Sequence, residues 1–198
     1  MNLEILKKSL LKAPVVEKGV YSYMIHPLTD GVPEIQPALL DEVVSEMHEH
    51  IKHYRSINKI VTMEAMGIPL ATALSLRMNI PFTIIRKRSY GLPGEVSVKQ
   101  VTGYSKSKLY INGCEKKDIV VLVDDVLSTG GTLRAVLKAL KQIGVVVKGV
   151  FIVVDKGNIA EKICEEFDLP IDTLANIEII EGKVIIKQKK SFSKNNHM

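Results

Sequence analysis

Residues 120–132 read Val-Val-Leu-Val-Asp-Asp-Val-Leu-Ser-Thr-Gly-Gly-Thr, and this stretch decides the fold class. Ile119–Val123 is apolar without a break, as expected of a strand covered on both faces. Leu133–Ile143 has helical spacing and stops at Gly144. A strand, a polar turn and a helix in that order belong to an open α/β sheet, whose ligands bind beyond the carboxyl ends of the strands. Asp124 and Asp125 fall at that place. Adjacent carboxylates there accept hydrogen bonds from sugar hydroxyls or hold a Mg²⁺ shell. Ser128, Thr129 and Thr132 add hydroxyls, and Gly130 and Gly131 let backbone amides approach a ligand closely. The turn leads into a helix N-terminus, where free amides and the dipole favour a phosphate. Diol recognition and monophosphate recognition one turn apart describe a ribose 5-phosphate site. A bare turn with a helix cap would account for either half alone. The chain has no Gly-x-x-x-x-Gly-Lys-Ser/Thr and no Gly-x-Gly-x-x-Gly, so the common nucleotide loops are excluded.

Working outward, strands and helices alternate. Pro37 opens a helix with Leu40, Val43, Val44, Met47 and Ile51 on one side. Lys59–Met63 and Phe82–Arg86 read as strands around a helix at Pro69–Met78, and Val96–Val101 with Lys108–Asn112 as a β-ribbon with a polar tip. Val145–Val154 is a further buried strand, Asn158–Phe167 a helix, and Thr173–Ile180 and Lys183–Lys187 are short strands. The pattern predicts an α/β protein with a central parallel sheet flanked by helices and joined by right-handed crossovers. Residues 1–36 and the last strands do not fit the alternation and are expected to form a small cover, or hood, over the sheet's end. The core is placed at 37–188, and 189–198 read as a basic, solvated tail.

The composition excludes several classes. With 46% hydrophobic and 25% charged residues the chain is an ordinary globular one of 198 residues. It has no Trp and few aromatics, so stacking platforms for nucleic acid are scarce. Much of the net charge of +5 sits around Lys187, Lys189, Lys190 and Lys194. Cys114 and Cys164 share no metal-ligand spacing and read as reduced thiols. No stretch approaches a membrane span and the first residues lack a signal-peptide pattern, so the expectation is a cytoplasmic protein with neither membrane nor nucleic-acid partner. His50 and His53 share a helix side at chelating distance, but a solvated helix face is the favoured reading of them.

The Asp-Asp-hydrophobic-hydrophobic-small-Thr-Gly-Gly-Thr segment resembles the 5-phosphoribosyl 1-pyrophosphate (PRPP) motif of type I phosphoribosyltransferases. The likeness runs from about residue 19 to about residue 155. Ile85-Arg86-Lys87-Arg88 with Leu92-Pro93-Gly94, and Gly103-Tyr104-Ser105-Lys106-Ser107-Lys108-Leu109, are similar to a strand end and a catalytic loop of the adenine enzymes. With Tyr-Met-Ile-His-Pro-Leu at 23–28 and Gly-Val-Pro at 31–33, the whole looks closest to the archaeal hypoxanthine/guanine branch. The resemblance implies PRPP and a purine base as substrates, Mg²⁺ as cofactor and a homodimer. It implies that Asp124 and Asp125 hold the ribose hydroxyls directly or through Mg²⁺, that Ser128, Thr129, Gly130, Gly131 and Thr132 cradle the 5-phosphate, and that Val126 packs on the purine. Glu64, Ala65, Met66 and Gly67 would match the pyrophosphate loop. Arg86 would reach the pyrophosphate with Lys87 beside it, and Tyr104 and Lys106 would close over the site. Three positions depart from the pattern: Gly103 replaces a glutamate of the adenine enzymes, Ser128 an aspartate of other 6-oxopurine enzymes, and Met66 an arginine. No general acid–base residue is thereby named.

Overall fold

The chain, as a computed structural model, is described for residues 3–19, 21–101 and 106–187, with the backbone alone for Lys18, Tyr21, Gln100, Val101, Lys106 and Ser107. Its elements in chain order are α1 (Glu4–Lys12), β1 (Val15–Lys18), β2 (Tyr21–Met24), α2 (Pro27–Asp30), α3 (Pro37–Ile51), β3 (Lys59–Met63), α4 (Gly67–Met78) and β4 (Phe82–Ile85). There follow β5 (Val96–Val101), β6 (Lys106–Ile111), β7 (Ile119–Leu127), α5 (Gly131–Ile143), β8 (Val146–Lys156), α6 (Ile159–Phe167), β9 (Ile171–Ile180) and β10 (Lys183–Lys187).

The six-stranded sheet has the order β10-β9-β8-β7-β3-β4 and is parallel except for β10. β7 lies inside the sheet because its side chains are apolar on both faces. Val121 and Val123 join Val43, Met47, Leu70, Leu74 and Phe151 on the side of α1, α3 and α4. Val120 and Leu122 join Val136, Leu140, Ile152 and Ile163 on the side of α5 and α6, with Leu109 and Ile111 of the β5–β6 hairpin. Fully burying a Leu- or Ile-sized side chain is worth roughly 1.5–3 kcal/mol, so these two layers fix where β7 ends. Gly144 closes α5 with φ +88° while its amide donates to Leu140 and Lys141 carbonyls, a left-handed cap that only glycine adopts without strain.

Three expectations are corrected. The last strands are part of the sheet, not of a cover. α6 crosses from β8 to a parallel β9, whose Thr173, Ala175 and Ile177 are buried, and β10 returns through the positive-φ pair Glu181-Gly182 as the antiparallel edge. Second, β7 runs through the acidic pair to Leu127, because the long β8 continues to pair with it up to Leu127↔Asp155. Third, α4 and α5 begin at Gly67 and Gly131, ahead of the apolar spacing, and at Gly67 an added Cβ would stand only 3.2 Å from the Val123 carbonyl. The N-terminal segment does lie apart from the alternation. Leu6 and Leu10 of α1 are buried with Val43 and Val184, and α2 reaches β7. Among the described residues no helix is long and apolar enough to cross a membrane.

Candidate active site

At the carboxyl end of the sheet lies a cleft of about 310 Å³ that brings together Glu64, Lys87, Asp124, Asp125, Val126, Ser128, Thr129, Gly130 and Thr132. A larger hollow of about 540 Å³ lies elsewhere, between α1, α3, β9 and β10, where His50 pairs with Asp172 and stands 3.3 Å from Glu46. His50 thus meets carboxylates from α3 and from β9, where a solvated helix face was expected. Among the described residues no group of three or more His, Cys, Asp or Glu is arranged to hold a metal by itself. The smaller cleft is the one that gathers the residues singled out in the sequence.

Asp125 is almost wholly buried. Burial pushes its carboxyl up to about 6. Asp124 is raised well above the ordinary carboxylate range, first by burial and then by the charge of Asp125. Two acids repelling each other in a low-dielectric wall fit a site for positive charge, and a bound cation or hydroxyl donors would restore both carboxylates.

The turn at residues 128–132 is built against α6. Gly130 has φ +73°, and a Cβ there would stand 2.5 Å from Ile163 Cδ1, 2.6 Å from Arg134 Nη1 and 2.9 Å from Ile159 Cγ2. Only glycine fits. Ser128 and Thr129 are exposed at the lip, and the first turn of α5 opens behind them.

The turn at residues 64–67 is clamped beside the acidic pair. Thr62 Oγ1 donates to the Val123 carbonyl at 2.8 Å, and a Cβ on Gly67 would meet Thr62 Oγ1 at 2.1 Å and Asp124 Oδ1 at 2.9 Å. The Glu64–Ala65 peptide is cis. Glu64 Oε2 accepts the Lys87 amide at 3.1 Å and lies 3.3 Å from Arg86 Nε, so Arg86, Lys87 and Glu64 form one group at the end of β4. Arg86 is held at its backbone by reciprocal hydrogen bonds with Tyr110, and the Met66 side chain packs 3.4 Å from where a Cβ of Gly31 would lie. Ala65 completes the turn. Tyr104 lies outside the described residues, and Lys106 opens β6 with its side chain outside them too.

Two further residues escaped the sequence reading. Lys156, the last residue of β8, is half-buried next to the strand end that carries Val126 and Leu127. Burial lowers its pKa, while the nearby charges of Asp30 and Asp125 act in the opposite sense. Asp30, on α2, accepts from the His26 amide at 2.9 Å and from Thr29 Oγ1 at 2.6 Å. The signal for Lys156 was present, a lone cation after a long apolar strand, but ending the strand at Val154 turned it into a loop residue.

Residues 34–175 match the phosphoribosyl transferase domain. The chain is 51% identical over 184 residues to the hypoxanthine/guanine phosphoribosyltransferase of Methanohalophilus mahii, covering 93% of this chain and 95% of that protein. It is 50% identical over 192 residues to the protein of the same name from Methanothrix thermoacetophila, covering 96% and 98%. Among solved structures, the adenine phosphoribosyltransferase of Rhodothermus marinus superposes with TM-score 0.72 at 22% identity, over 88% of this chain and 97% of that one. That of Leishmania tarentolae does so with TM-score 0.73 at 18% identity, over 89% and 88%. The structural likeness at such identity is one of fold. The matched domain takes in the acidic pair, the glycine turn and the clamp around Glu64, and the chain belongs to the phosphoribosyl transferase family.

Proposed function

We propose that the chain is a purine salvage enzyme that joins hypoxanthine, and guanine, to PRPP, releasing the nucleoside monophosphate and pyrophosphate. The observation that carries the reading is the single cleft in which Asp124 and Asp125 stand one turn from the Ser128–Thr132 segment, in a chain about half identical to enzymes of that name. In this reading the acidic pair holds the ribose hydroxyls and the 128–132 turn holds the 5-phosphate. Arg86, Lys87 and the 64–67 turn receive the pyrophosphate, and Val126 packs on the purine. Tyr104 and Lys106 belong to the same proposal as the closing loop.

The chemistry asked of these residues is modest. Pyrophosphate leaves the anomeric carbon as a ring nitrogen of the base attacks, so negative charge grows on the leaving group. In this reading Arg86, Lys87 and backbone amides stabilise that charge, and fixed donors in a cleft are worth more than donors in water. The cleft also keeps water from the activated sugar. Mg²⁺, which the repelling pair of Asp124 and Asp125 suits, would supply charge neutralisation for the pyrophosphate when bound with PRPP.

Base choice is assigned to Lys156. Its ammonium donates only, and a 6-oxopurine offers an exocyclic oxygen acceptor where adenine offers an amino donor. Lys156 next to Val126 therefore favours the oxopurine. A base-competition assay with hypoxanthine, guanine and adenine at saturating PRPP and Mg²⁺ tests this. Nucleotide is expected from the oxopurines, and turnover of adenine alone would overturn the assignment. Failure of PRPP to bind the protein with magnesium present would overturn the whole reading. A homodimer is part of the proposal, and sedimentation should show twice the 22.0 kDa chain. A cytoplasmic location fits the absence of a spanning helix among the described residues.

A further inference from the structure

We propose that Arg134 is the positioning residue of the sugar-phosphate turn: held by Glu166, its guanidinium fixes the Thr129 carbonyl and so turns the Gly130 amide toward the cleft. The inference rests on the phosphoribosyl-binding reading above. Arg134 Nη1 donates to Thr129 O at 3.2 Å, and Nε of the same planar group donates to Glu166 Oε2 at 2.5 Å. One rigid plane thus ties the turn to α6. In a trans peptide the C=O and the following N–H point in opposite directions. With the Thr129 oxygen drawn to the α6 side, the Gly130 N–H is presented on the cleft side, where Ser128, Thr129 and Thr132 line the wall.

The turn needs such a device. Gly130 sits at φ +73°, and a glycine peptide left to itself samples many orientations. Arg134 also engages the next carbonyl, since its own backbone amide donates to Gly130 O at 3.0 Å. Both carbonyls flanking the Gly130 Cα are therefore held by one residue. α6 is in turn fixed where Glu166 can reach, because Asp155 accepts the Ile159 and Ala160 amides at 3.1 and 3.2 Å and Ile159 and Ile163 pack on Gly130. Glu166 neutralises Arg134, so what the guanidinium contributes to the anion site is orientation and not net charge.

The test compares wild type, Arg134→Met, Arg134→Lys and Glu166→Gln by calorimetric binding of ribose 5-phosphate and PRPP, alongside kcat and the KM for hypoxanthine at saturating PRPP. Arg134→Met is expected to weaken ribose 5-phosphate and PRPP about tenfold, the usual effect of losing a charge-assisted hydrogen bond, with kcat and the hypoxanthine KM within about twofold. Arg134→Lys should recover part of the loss, and Glu166→Gln should show a smaller weakening, about threefold. Wild-type affinity in Arg134→Met overturns the inference. So does a variant that loses kcat, base affinity and thermal stability together, which marks a residue that only holds the fold. If Arg134→Met does not fold, unchanged ribose 5-phosphate affinity in Glu166→Gln overturns it alone. Should wild type bind neither PRPP nor ribose 5-phosphate, the functional reading falls and this inference with it, whereas equal binding by wild type and variants removes only this inference.

Discussion

His26 gives the fold a measurable acid sensitivity. The ring is fully buried and caps α2: Nδ1 accepts the Leu28 amide at 3.2 Å, which leaves Nε2 to carry the proton facing Ser9 Oγ at 2.7 Å. Both nitrogens are committed to the neutral tautomer. Burial lowers the pKa from 6.5 to about 4, with Asp30 pulling weakly the other way. The unfolded chain therefore binds more protons between these values, and stability contributed by neutral His26 is complete above pH 6.5 and lost as pH falls toward 4. The gap corresponds to roughly 3 kcal/mol in total, of which roughly 2 kcal/mol is gone near pH 5. Asp125 acts in the opposite sense, since a carboxyl raised from 3.8 to about 6 relieves a cost as pH falls. A wild-type profile alone would therefore mix two trends. Urea unfolding of wild type and His26→Asn across that range separates them, because Asn keeps a capping oxygen and does not titrate. The difference between the two stabilities should shrink by roughly 2 kcal/mol from neutral pH to about pH 5. A level difference would refute the reasoning.

Asp125→Asn should raise the melting temperature at neutral pH while abolishing PRPP binding, because the buried charge costs up to roughly 3 kcal/mol in the ligand-free fold; differential scanning fluorimetry with and without PRPP and Mg²⁺ reads both effects. Gly130→Ala is expected to destabilise by roughly 2–4 kcal/mol, combining left-handed strain with overlap on Ile163 and Ile159, and to weaken ribose 5-phosphate binding in calorimetry. Lys156→Gln should lower kcat/KM for hypoxanthine about 10–100-fold and narrow its advantage over adenine, since a buried charged donor to a ligand is typically worth 2 kcal/mol or more; steady-state assays with both bases check it.

The strand, turn and helix around residues 119–143 were legible in the sequence because their parts are local. An apolar run, two acids, a hydroxyl-glycine turn and a helix occupy consecutive positions, and each element fits only one way onto the next. The glycines were recognised as necessary, although the reason at Gly130 is the wall of α6, more than thirty residues away in the chain as Ile163. The clamp of Gly67 against Thr62 and Asp124 depends on β3 lying next to β7, and the pairing of Arg86 with Glu64 on β4 lying next to β3, neither of which any spacing in the sequence encodes. The last strands were misplaced for a related reason: a charged, alternating edge strand and a surface cover carry the same pattern, and only pairing distinguishes them.

This contrast between local and distant parts bears on how base choice is set. In the proposed reading the base would be met by Lys156 of β8 and Asp30 of α2, two segments distant in the chain whose charges act on each other beside the acidic pair. α2 is positioned by His26, which is bonded to Ser9 of α1, while Met66 of the 64–67 turn packs beside Gly31. A change in residues 9–31 can thus move Asp30 relative to Lys156 while leaving Asp124, Asp125 and the 128–132 turn in place. The 64–67 and 128–132 turns are more closely held, since a Cβ on Gly130 would stand 2.5 Å from Ile163 Cδ1 and one on Gly67 2.9 Å from Asp124 Oδ1. If the proposed roles hold, a tightly held phosphoribosyl half joined to a base half held by separate contacts would let one fold keep its sugar-phosphate chemistry while the purine it accepts is altered from the N-terminal side.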